Sequence, residues 1–245
     1  MTADTLDTFT PAEERERAAR ARRMVTWLIC FAIVMFFAGL TSAYVVSMSG
    51  GYWTRITMPG PFYWSTAFVV AGSLTLQLAL RAAKRGTTGV VAPLILATLA
   101  LGIAFTASQF KGWSRLVELG ITPSPNKLEG IGGTYGVDFT VTKDGLPLVP
   151  ANGHWYTADD TGFERQLDAE IAEQKDRTGP YFYTLTAAHA AHVAFGLLAL
   201  VVMAAMALMR RYTPQDHVGL WAGTVYWHFL GGLWVYLFLF LRFVH

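Results

Sequence analysis

Cysteine occurs once in the 245 residues, at Cys30. A lone cysteine excludes a disulfide framework and a thiolate metal cluster within the chain; inside an apolar run it reads as a small buried side chain. Charge is scarce as well. Asp, Glu, Lys and Arg make up 15% of the residues while 53% are hydrophobic, whereas soluble domains carry about 25% charge. That balance excludes an ordinary soluble domain and points to a polytopic membrane protein. A net charge of +2 by itself argues neither for nor against nucleic acid, and none is expected as a partner. Internal repeats, low-complexity tracts, phosphate-binding glycine loops and nucleophile elbows are also missing from the sequence. Gly130 to Gly136 lacks the strand-to-helix context of a phosphate cradle.

Long apolar runs are what the chain has in abundance. Five segments meet the length of about 17 to 25 apolar residues that a spanning helix needs: 24 to 48, 62 to 80, 88 to 110, 181 to 209 and 218 to 241. The fold class is therefore an all-α integral membrane protein with five transmembrane helices in one bundle. Residues 1 to 23 form a polar lead-in, in which Thr10-Pro11-Ala12-Glu13 reads as a helix start with Thr as N-cap and Glu three later. Its arginines suit anionic headgroups. Met24 to Met48 offers 25 uncharged residues, beyond the 7 to 15 or so of a secretory signal, so it reads as a retained span. Aromatic residues at Tyr52 and Trp53, Phe62 to Trp64, Trp113, Tyr181 to Tyr183 and Trp221 mark span ends at headgroup level.

Loop charges orient the bundle. Five arginines precede span one, Arg81, Lys84 and Arg85 follow span two, and Arg210 and Arg211 follow span four, whereas the loop 49 to 61 holds only Arg55. Positive residues favour the cytoplasm, which puts the N-terminus inside and the C-terminus, with Arg242 and His245, outside. The chain then divides into a cytoplasmic N-terminal helix (1–23), spans one to three (24–110), a periplasmic segment (111–180) and spans four and five (181–245). The periplasmic segment carries seven basic and eleven acidic residues. Within it, Tyr135 to Val149 alternates β-branched and aromatic residues around Asp144-Gly145, a hairpin signal. Gly162 to Arg177 reads as a short amphipathic helix through Phe163, Leu167 and Ile171. Segment 121 to 180 is larger than a minimal link, so it is expected to cap the helix ends or meet another subunit or an electron-donor complex.

Chemistry, if the chain carries any, belongs to Tyr181 to Met209, which has no formal charge apart from two histidines, His189 and His192, on one helical face. His228 lies on the last span. Imidazole is the commonest metal ligand, and histidines from spans four and five could hold a metal or a bis-histidine haem. No Asp or Glu lies within any span, which removes a di-iron bundle and an H-E-x-x-H protease. The other reading is neutral histidines hydrogen-bonded across helices. Gln77 and Gln109 read as interhelical hydrogen-bond partners, and Met203, Met206 and Met209 as filler. Gly39, Gly196, Gly231 and Gly232 read as close helix-packing positions.

Four blocks carry a family resemblance: MFFAGLTSAY at 35 to 44, QFKGWSRLVELG at 109 to 120, YTLTAAHAAHV at 183 to 193 and YWHFLGGLWVYLFLF at 226 to 240. Together they resemble subunit III of haem–copper cytochrome c oxidases, in its five-span bacterial form. The resemblance implies a noncatalytic chain of an aerobic terminal oxidase in a bacterial inner membrane. It implies packing against subunit I and other oxidase subunits, support of proton uptake, and protection from turnover-linked inactivation. No cofactor is then expected in this chain, with haem and copper in partner subunits and phospholipid bound between helices. His189, His192, His228, Tyr183 and Trp227 become structural or proton-buffering residues. Two departures stand out: many relatives carry a glutamate where this chain has Ile33, and an acid where it has Gly231. A histidine-ligated haem or metal redox protein is the alternative.

Overall fold

A computed structural model describes residues 10–244; positions 1–9 of the polar lead-in and His245 lie outside the described residues. The first helix, α1, spans Pro11–Met48. It opens on the capping box: the Thr10 side chain accepts from the Glu13 N–H at 3.4 Å, and the Thr10 N–H donates to Glu13 Oε2 at 2.8 Å. No glycine or proline interrupts residues 12 to 38, so the arginine-rich arm and the first span fuse into one rod of 38 residues, about 57 Å long. The rod ends at Ser49-Gly50-Gly51, where Gly51 takes a φ of +77°.

Four further long helices complete the bundle: α2 (Gly60–Lys84), α3 (Val91–Glu118), α5 (Thr178–Leu208) and α6 (Val218–Phe243). All five are long and apolar enough to cross a membrane. Several hydropathy boundaries move, among them the end of α2, four residues past position 80. Helix α3 runs eight residues past position 110, because Lys111, Arg115 and Glu118 sit on its polar end without breaking it. Helix α5 starts three residues before Tyr181, because the buried Asp176 carboxylate accepts the Thr178 and Gly179 N–H groups at 3.0 Å each. Helix α6 packs on α1, α2 and α5, while α3 packs on α2 and α5. Two tryptophans seven residues apart on one face of α6 anchor the two halves of the core. Trp234 belongs to the half nearer the extramembrane sheet, and Trp227 to the half nearer the arginine-rich loops.

The extramembrane cap is a four-stranded antiparallel sheet of β1 (Tyr52–Ile56), β2 (Phe139–Lys143), β3 (Leu146–Ala151) and β4 (His154–Thr157), in that order. Asp144-Gly145 forms the expected hairpin turn, with φ of +51° and +84°. Asn152-Gly153 forms a second one between β3 and β4, at +52° and +81°. Two positive φ values in a row give the turn twist that matches paired strands. Strand β1 comes from the first loop and pairs with β2 from Tyr52↔Lys143 to Ile56↔Phe139. Tyr52 and Trp53 are thus buried strand residues. The Trp53 ring meets Tyr44 of α1 at 5.1 Å and Tyr181 of α5 at 6.0 Å, which seats the sheet on the bundle.

The helix expected over 162 to 177 shrinks to α4 (Asp168–Glu173). Asp160 explains the loss: its carboxylate accepts the N–H groups of Glu164 and Arg165 and holds a turn in which Phe163 takes φ +53°. Leu167 and Ile171 are buried as the spacing implied, while Phe163 stays 45% exposed against Tyr156.

Glu170 of α4 ties this segment to the sheet. It accepts from Tyr52 Oη at 2.9 Å, from Lys143 Nζ and from Arg165 at 3.2 Å. The Lys143 bond first, then the Tyr52 bond, hold the Glu170 carboxyl at about 2, below its usual 4.5. Because the folded value is depressed, the stabilisation is present above about 4.5 and is lost as pH falls through about 2. The protection of β1 and β2 amides, corrected for their intrinsic exchange rate, is therefore expected to fall across that window in the native chain. In Glu170→Gln that protection should already be lower at neutral pH and should not change below 4.5; matching profiles would refute the role assigned to Glu170.

Candidate functional site

The three intramembrane histidines occupy three different surroundings. His189 is 1% exposed and sits in an aromatic cage, with ring centroids 5.5 Å from Trp234, 6.1 Å from Phe105 and 6.4 Å from Phe37. Neither of its ring nitrogens has a hydrogen-bond partner among the described residues. His192, one turn on, is half-buried; its Nδ1 lies 2.7 Å from the Ala188 carbonyl of its own helix, and its ring lies beside Phe36 and Phe37 of α1. His228 turns toward α2, where Nε2 lies 3.1 Å from Gln77 Oε1.

Helices α5 and α6 therefore do not bring their histidines together, against the expectation that chemistry would sit between them. Polar bonding across helices holds for His228 with Gln77. It does not hold for the side chains of His189 and His192, although the Tyr226 hydroxyl of α6 reaches the His192 carbonyl at 3.2 Å. Among the described residues, no three His, Cys, Asp or Glu side chains gather as a metal-ligand set. The other predicted glutamine, Gln109, does bridge helices: its Nε2 donates to Ser65 Oγ of α2 at 3.0 Å.

Tyr183 and Trp227 are packing residues with defined partners. The Tyr183 hydroxyl reaches the carbonyls of Ile121 at 3.1 Å and Trp113 at 3.3 Å, pinning the start of α5 to the end of α3. Trp227 is 2% exposed and fills the space left by three glycines. A Cβ at Gly102 would come within 2.8 Å of its ring, at Gly72 within 3.4 Å and at Gly196 within 3.5 Å. Of the four glycines read as packing positions, Gly196 and Gly231 behave so; a Cβ on Gly231 would lie 3.2 Å from Ser73 Oγ. A Cβ on Gly39 or Gly232 would meet nothing within 4 Å among the described residues. They lie on outer faces of α1 and α6.

Trp234 escapes a reading centred on histidines. It is fully buried, stacks near Phe62 and Phe105 as well as His189, and donates Nε1–H to Thr66 Oγ1 at 3.0 Å. The available signal was its seven-residue spacing from Trp227, which puts both on one face of α6. Gly112 escapes too: it faces the Phe62 ring directly.

The section from α4 to the end of α6 matches known proteins. A family model described as cytochrome c oxidase subunit III matches residues 168–244. The chain is 26% identical over 218 residues to cytochrome c oxidase subunit 3 of Corynebacterium diphtheriae, covering 86% of this chain and 82% of that protein. It is 24% identical over 224 residues to the probable cytochrome c oxidase subunit 3 of Mycobacterium leprae, covering 90% and 85%. With the subunit 3 of Marchantia polymorpha it shares 30% over 80 residues, 32% of this chain. The chain is thus similar to cytochrome c oxidase subunit III proteins over most of its length. It is a multi-pass membrane protein with five candidate spans.

Within this family frame, the matched stretch holds His189, His192, Trp227 and His228. The two positions where an acid was expected are filled by packing. Ile33 is buried in the sheet-side core, and Gly231 lies against Val69 and Ser73 of α2.

Proposed function

We propose that the chain is a noncatalytic subunit III of an aerobic terminal oxidase in a bacterial plasma membrane. In that complex cytochrome c is oxidised and oxygen is reduced to water at haem and copper held by other chains, with proton translocation coupled to it. This chain packs against the catalytic subunit I, stabilises it and slows its inactivation during turnover. The arginine end of the bundle lies in the cytoplasm and the sheet outside, as the positive loops favour. Phospholipid fills the outer grooves between helices, and the cap over 121 to 180 meets another subunit or an electron donor.

The observation that carries this reading is the family match over α4 to α6, combined with side chains there that serve packing. His189 is enclosed by three rings, Trp227 keys into glycines of three helices, and His228 joins Gln77. Stabilisation of subunit I fits such a rigid scaffold. Support of proton uptake has a narrower basis, since Ile33 and Gly231 supply no carboxylate; the half-buried His192 and His228 are the proton-buffering candidates that remain.

Deleting the chain tests the role. The remaining oxidase is expected to keep its haem content while its activity decays several-fold faster during turnover. Equal decay in a normally assembled complex would reject the stabilising role.

A further inference from the structure

The extramembrane cap holds a cavity of about 260 Å³ between the sheet, α4 and the turn at 128 to 130. Buried aliphatic side chains, Leu148 and Ile171 among them, form its inner part. Three half-buried rings, Tyr135, Phe139 and Trp155, and the exposed Glu129 complete the lining. The Phe139 and Trp155 rings both meet Tyr135, with centroids 5.6 and 4.7 Å apart and planes at 90° and 66°. They surround the space at angles to one another instead of stacking. The Tyr135 hydroxyl donates to the Leu148 carbonyl at 2.6 Å, which fixes that ring in place.

Glu129 is the one charged residue of this lining. Glu170 nearby is held by Tyr52, Lys143 and Arg165, whereas Glu129 has no hydrogen bond or ion pair from its side chain among the described residues. An anion placed here would meet both this carboxylate and the negative faces of the rings. A neutral apolar ligand would leave the carboxylate unused. A compact cation with alkyl substituents suits every part: ring faces attract it, the carboxylate supplies its counter-charge, and the aliphatic inner part takes its methylene or methyl groups. The surrounding segment, 111 to 180, adds to the preference with eleven acidic against seven basic residues. The volume sets the size, because pockets for whole small molecules begin at about 300 Å³.

We infer that this cavity binds an alkylammonium group, carried by a small soluble compound or by a lipid headgroup, with Tyr135, Phe139 and Trp155 around the cation and Glu129 opposite its charge. Most of the lining precedes residue 168, where the family match begins, and the inference stands apart from the oxidase reading.

The test uses the full chain in nanodiscs of phosphatidylglycerol, a lipid without an ammonium group, with choline as the probe and saturation-transfer NMR as the readout. Choline is expected to bind about fivefold or more tightly than 3,3-dimethylbutan-1-ol, its uncharged isostere. In Glu129→Gln that preference should fall to about twofold, the share left to the rings. Phe139→Leu should weaken choline about threefold while the isostere binds as before, which shows that the cavity persists in the variant. In nanodiscs of phosphatidylethanolamine, loss of choline binding would assign the site to a lipid headgroup, and unchanged binding to a soluble compound. Equal binding of choline and its isostere to the native chain, no binding of choline, or a preference unchanged in Glu129→Gln would overturn the cation site.

Discussion

Trp234→Ala is expected to be the most damaging single truncation in the bundle. The indole is fully buried, contacts Phe62 of α2, Phe105 of α3 and His189 of α5, and donates to Thr66. Removing a large core aromatic costs about 3–5 kcal/mol where the site cannot collapse, and here four helices meet around it. The cavity would also leave the His189 imidazole beside empty apolar space and remove the donor to Thr66 Oγ1, which keeps its own bond to the Phe62 carbonyl. Unfolding in mixed detergent micelles should shift to markedly lower denaturant. Trp234→Phe should recover part of the packing but not the hydrogen bond. Unfolding of Trp234→Ala like the native chain would show that this cluster is not the keystone of the sheet-side core.

Gly112→Val should rank next, through the opposite fault. A Cβ at this position would come within 2.5 Å of the Phe62 ring, which is itself fully buried between Phe182 and Trp234. Phe62 can yield only by displacing Phe182 and Trp234, or α2 and α3 must separate. Overpacking a core costs about 1–3 kcal/mol. Pairing it with Phe62→Leu, which vacates the contested space, should restore much of the loss, and a double variant no more stable than Gly112→Val would argue against a steric cause. Gly39→Val is the matching control, because a Cβ there would meet nothing within 4 Å among the described residues.

Most of the membrane part can be read from sequence because its cause is local. A run of apolar residues must be helical in lipid, since the backbone has no other partners there, so five spans follow from five runs. The Asp144-Gly145 turn is equally local. Strand β1 is not: Tyr52 and Trp53 look like interfacial aromatics until Lys143 and Thr142, about ninety residues later, supply their ladder partners. The short α4 fails for a related reason. Phe163, Leu167 and Ile171 have helical spacing, yet Asp160 captures the N–H groups of Glu164 and Arg165 and a turn wins over the first helical turns.

The histidines show the same division. Their presence on α5 and α6 is plain from the sequence, and so is the absence of intramembrane carboxylates. Their directions depend on how the helices rotate, which the aromatic and glycine contacts decide. Trp227 needs Gly72, Gly102 and Gly196 from three helices, and seating it turns His228 toward Gln77 and away from α5. Gly39 and Gly232 look like packing glycines by composition, but in the bundle they face outward.

Extraction of the native complex through this chain, followed by an optical spectrum and identification of the bound polypeptides, addresses the central claim most directly. The account predicts a haem–copper oxidase subunit recovered with the chain, with the haem spectrum following that subunit. Once this chain is stripped from it, the isolated chain should show no Soret absorption. A Soret band that stays with the isolated chain and disappears in His192→Ala or His228→Ala would contradict it.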